Sequence, residues 1–136
     1  MANSRTSASS FSSSQLHQQR AFLRYAFWTC ATVVLVLSLL PGERVPLPTT
    51  GWDKADHLLA FAVMAALGCL GWSGRTAEML SCLLVFGIVI EALQSMTGYR
   101  SADLKDVLAE VLGLGLGVLV AWMVGWVAER SRLAME

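Results

Sequence analysis

Nine polar or ionisable side chains stand at spacings that would let helices turn them toward one another: Asp53, Lys54 and His57; Glu91 and Gln94; and Arg100, Asp103, Asp106 and Glu110. Asp53 and His57 are four apart, Glu91 and Gln94 three, and Asp103, Asp106 and Glu110 three and then four, so each set shares one helical face. A histidine among carboxylates can move protons, hold a metal ion or bind a polar ligand beside Lys54 and Arg100. His57 with Glu91 and Asp106 is the candidate metal set, although one imidazole with carboxylates leaves metal binding undecided. A plainer role is also open: Asp53 and Asp103 suit helix N-termini, where donors and dipole favour an acid, and Asp56 suits an interfacial anchor.

The elements that must carry these residues are apolar. Of 136 residues, 55% are hydrophobic and 15% charged, against about 45–50% and 25% in ordinary soluble domains. Four apolar runs predict transmembrane helices at about 21–40, 55–72, 79–97 and 106–128. The predicted fold is all-α, a four-helix transmembrane bundle with up-down antiparallel order. Residues 1–20 include Ser-Ala-Ser-Ser-Phe-Ser-Ser-Ser and predict a disordered tail; residues 129–136 form a short cytoplasmic tail. The first run reads as an uncleaved anchor, because Ser38-Leu39-Leu40-Pro41 follows it where a signal peptide would carry small residues. Pro41–Thr50 holds all three prolines and reads as a loop.

In an up-down bundle the starts of the second and fourth helices and the end of the third share one membrane face, so the nine polar residues gather there. Carboxylates one turn inside an apolar run must face the bundle interior or water, which singles out Glu91 and Glu110 as functional candidates. Along the fourth helix the acidic stripe runs into Gly113, Gly117, Ala121 and Gly125, small residues at every fourth position that favour close helix packing in lipid. Arg5, Arg20, Arg24, Arg75, Arg130 and Arg132 lie on one side of the membrane and Arg44, Lys54, Arg100 and Lys105 on the other. That bias predicts both termini in the cytoplasm. Ten cations balance ten acids overall, yet the external side sets four cations against seven acids. With no net basic charge, nucleic acid is not an expected partner; the lipid bilayer is.

Cys30, Cys69 and Cys82 fall in apolar runs without metal-ligand spacing and read as buried small hydrophobes. The tryptophans lie mostly near span ends, as an interfacial belt would. His17 belongs to the tail.

Three ordered motifs carry a resemblance. Asp53-Lys54-Ala55-Asp56-His57-Leu58-Leu59-Ala60-Phe61, Glu91-Ala92-Leu93-Gln94 and the run from Arg100 to Gly113 are similar to D-K-x-x-H-x-x-A-F, E-x-x-Q and R-x-x-D-x-x-D-x-x-x-N-x-x-G of the VanZ-like family of small bacterial integral membrane proteins. The resemblance covers about Arg24 to Ala128. One position departs: Glu110 stands where the family usually has Asn, and an acid donates a hydrogen bond only when protonated. The resemblance implies a four-helix protein of the bacterial inner membrane acting at the cell envelope. The family's namesake confers low-level teicoplanin resistance, and no catalytic mechanism comes with the name.

Three functions compete. The first is a non-enzymatic envelope protein whose external cluster binds a lipid-linked or cell-wall-related head group, or a partner helix. The second is a small intramembrane enzyme using the carboxylates and His57 on such a substrate. The third, proton or ion translocation, is weakened by polar residues pooling at one face. No G-x-S-x-G, H-E-x-x-H or paired-histidine motif is present, which favours the first. No cofactor is expected, and the oligomeric state is left open.

Overall fold

The computed structural model describes the backbone of residues 4–40, 53–98 and 104–134, and their side chains apart from those of 4–13, 53 and 132. Four helices follow one another: α1 (Ser4–Leu39), α2 (Asp53–Gly71), α3 (Thr76–Met96) and α4 (Leu104–Leu133). No strand occurs among the described residues. The segments Ser14–Leu39, Lys54–Gly71, Thr76–Met96 and Leu104–Ser131 are each long and apolar enough to cross a bilayer. A rise of 1.5 Å per residue makes the 19 residues of α2 about 28 Å long, close to the ~30 Å hydrocarbon thickness.

Helix is the form such segments must take, because each backbone group in lipid needs an internal partner. Hydroxyls follow the same rule: Thr32, Ser81 and Ser131 donate to the carbonyls of Trp28, Ala77 and Val127, one turn back, at 2.9, 2.9 and 3.0 Å. The chain turns at glycines. Gly74, with φ 89°, sits between α2 and α3, and Gly98, with φ 77°, follows α3; only glycine adopts these values without strain.

Two boundaries differ by more than three residues from the sequence expectation. The helix α1 begins at Ser4 and so includes most of the serine-rich stretch that composition predicts as a disordered tail. Once the apolar part of α1 forms, each further residue adds a hydrogen bond without a new nucleus, and serine opposes this only weakly. At the other end α4 continues to Leu133, past the expected stop at 128. Glu129-Arg130-Ser131 contains no helix breaker, and the Arg130 guanidinium stacks 4.0 Å from the Trp126 ring centre.

The most extensive contact joins α2 to α4, while α1 packs on α2, and α3 touches the other three more lightly. Lys54 at the start of α2 meets Asp106 at the start of α4, so the closest pair runs in parallel. The α1 helix runs against α2: Arg24 Nε donates to the Gly71 carbonyl at 3.0 Å, and its guanidinium lies 5.2 Å from the Trp72 ring centre. That contact satisfies a terminal carbonyl of α2 and places a cation at the negative end of its dipole.

Close approach of α2 and α4 depends on two glycines. A methyl group at Gly113 would collide with the Leu58 carbonyl oxygen, and one at Gly117 with the Ala62 carbonyl oxygen and Ala65 Cβ. Ala121 continues this buried stripe, whereas Gly125 faces open space. The expected packing role therefore ends at Ala121, because α4 outlasts α2 by several turns. Phe61, Met64, Ala65 and Ile90 form the centre of the core, with Phe27, Leu83 and Leu114 around them. Outward faces are apolar too, including Val85, Leu112, Leu116 and Trp122, as lipid contact requires.

Candidate functional site

Five polar side chains are buried among the described residues: His57, Glu91, Gln94, Asp106 and Glu110. All belong to the nine polar residues singled out in the sequence, and four of them lie at the end of the bundle where α2 and α4 begin and α3 finishes. Two pairs bridge α2 and α4. Lys54 Nζ donates to Asp106 Oδ1 at 3.2 Å, with the lysine side chain 29% exposed and the aspartate 8%. One turn deeper, His57 Nδ1 lies 3.3 Å from Glu110 Oε1, both buried.

Helical phase explains the stacking. Lys54 and His57 are three apart on α2 and Asp106 and Glu110 four apart on α4, so parallel helices in contact present two successive rungs. The glycine contacts set the axial offset that makes His57 level with Glu110. Glu91 comes from α3: one donor atom from each of His57, Glu91 and Glu110 lies within 4.8 Å of the others. The structure thus assembles His57 and Glu91 with Glu110, in place of the expected set of His57, Glu91 and Asp106. Asp106 is engaged by Lys54, one turn nearer the membrane face.

Gln94 is buried but does something else. Its Nε2 donates to the Ser38 carbonyl at 2.9 Å, satisfying the last turn of α1 and tying it to α3. Asp56 is half-buried. Arg100, Asp103 and the side chain of Asp53 lie outside the described residues, as does Trp52.

One residue of the site was not foreseen from sequence. Gly87 on α3 lies against the Glu110 carboxylate, and any side chain there would overlap Oε2 and Cδ. Gly87 precedes Glu91 by one turn on the same buried face, so a small residue four before an intramembrane acid was the available signal. Glu110 Oε2 itself is buried and has no hydrogen-bond partner among the described residues.

At the opposite end, α3 begins beside an exposed ion pair of Arg75 and Glu78, whose hydrogen bond and charge raise the arginine pKa. Phe27 and Trp72 pack edge to face there, 5.3 Å apart.

A protein of Schizosaccharomyces pombe, described as uncharacterized, is 33% identical over 93 residues, covering 65% of this chain and 57% of the relative. The chain thus spans little more than half the length of that curated relative. No solved structure matches. The VanZ/LLP1 family matches residues 2–125, so the match takes in the serine-rich segment that the motif resemblance left out. With nearly the whole chain covered and each described motif residue on a membrane-length helix, this protein belongs to the VanZ/LLP1 family.

Proposed function

We propose that this is a non-enzymatic envelope protein whose polar end receives the head group of a lipid-linked or cell-wall-related precursor. One observation carries the reading: a buried pair, His57–Glu110, and a part-buried one, Lys54–Asp106, lie at the same end of membrane-length helices. Such groups are costly at membrane depth and mark functional sites. Lys54 is the more exposed partner of its pair and is the cation placed to meet a phosphate; Asp106 positions it. In this reading the site faces the outside of a bacterial inner membrane with both termini in the cytoplasm, supported by the Lys/Arg distribution and the motif resemblance.

Lipid mass spectrometry of the detergent-purified protein tests the proposal. A stoichiometric envelope lipid that disappears in Asp106→Ala and persists in Gly125→Ala is expected. Only bulk phospholipid, alike in both variants, would refute it. A second reading, a small intramembrane enzyme, draws support from the imidazole held 3.3 Å from a buried carboxylate, a pairing that orients a histidine base. Turnover of the co-purified lipid by wild type but not by His57→Gln would establish it.

A further inference from the structure

We propose that His57, Glu91 and Glu110 form a binding site for a divalent first-row transition metal ion of the zinc class, independent of any lipid ligand. The three residues are 6, 5 and 0% exposed and come from three different helices. Their donor atoms lie within 4.8 Å of one another. Ligands at about 2.0–2.1 Å in tetrahedral array are roughly 3.3 Å apart, and His57 Nδ1 and Glu110 Oε1 are 3.3 Å apart. Bringing Glu91 to the same spacing needs a closure of at most about 1.5 Å.

Charge supplies a second argument. With both carboxylates ionised and the imidazole as a neutral ligand, the set would carry a formal charge of −2, which a divalent cation cancels within the site. Two ionised acids buried at membrane depth are otherwise strongly disfavoured.

The third argument is an oxygen atom. Glu110 Oε2 is fully buried, lacks a hydrogen-bond partner among the described residues, and is directed at the Gly87 face of α3, one turn from Glu91. An acceptor so placed suits a cation between α3 and α4. Three protein ligands leave a coordination position open, as in zinc sites that exchange water or ligand.

The test uses full-length, tag-free protein in detergent, loaded with zinc and dialysed, with metal content read by plasma mass spectrometry. About one zinc per chain is expected in wild type and in His17→Ala, and a loss of at least about tenfold in affinity in His57→Gln and Glu110→Gln. Cobalt substitution of the wild type needs no variant: a visible d–d absorption band that zinc abolishes is expected. Less than roughly a tenth of an equivalent of zinc, equal binding in the His57 and Glu110 variants, or no cobalt band would each overturn the site. Because no lipid takes part, failure here leaves the head-group reading standing, and a missing lipid leaves the metal site standing.

Discussion

At the scale of single residues, the candidate site depends on what does not project from the backbone as much as on what does. Gly87 leaves the space that the Glu110 carboxylate fills. Gly87→Ala should therefore destabilise the bundle by about 1–3 kcal/mol, the usual cost of overpacking, in a detergent unfolding titration. Gly115→Ala, which meets nothing, should be neutral or stabilising by a few tenths to about 1 kcal/mol. Gln94 offers a cleaner case. Gln94→Leu keeps the bulk but strands the Ser38 carbonyl, and a loss of about 1–3 kcal/mol is expected by the same measurement. An unchanged midpoint would mean that the α1–α3 tether carries no energy.

At the scale of elements, the parallel packing of α2 on α4 decides which acid meets which base. The sequence shows Asp106 and Glu110 on one face of a helix and Lys54 and His57 on one face of another. It cannot show whether His57 is level with the first acid or the second, since both choices satisfy helical phase. Gly113 against Leu58 and Gly117 against Ala62 fix the axial offset, and those contacts depend on a helix pair that is not adjacent in sequence. For the same reason Gly125 looked equivalent to Gly117 in the repeat, and only the end of α2 at Gly71 separates them. Gly117→Leu should force the pair apart and abolish a folded monodisperse peak in size-exclusion chromatography, while Gly125→Leu should leave the profile unchanged. If both variants behave alike, the small-residue stripe does not hold α2 to α4.

At the scale of the whole molecule, apolar composition made membrane-length helices legible, because both faces of each helix must be apolar where one meets lipid and the other the core. The extent of α1 was less legible: serine-rich composition describes a chain with little to bury, not one continued from a formed helix. Sidedness rests on the Lys/Arg distribution, and a reporter fused after Glu136 tests it. Fluorescence from a fusion that matures only in the cytoplasm is expected; activity of an exported phosphatase fused at the same point would invert the orientation. Neutralising the exposed pair at the other end, with Glu78→Gln, should leave unfolding unchanged, since solvated surface ion pairs contribute little.

The bridge between His57 and Glu110 also imposes an order on biosynthesis. Its two members are 53 residues apart in the chain. At roughly 5–20 residues per second the ribosome delivers the second about 3–11 s after the first. During that interval α2 carries its histidine without the final acid. Glu91 follows on α3, and Glu110 arrives last, on α4. The last helix to be made is thus the one that closes the site.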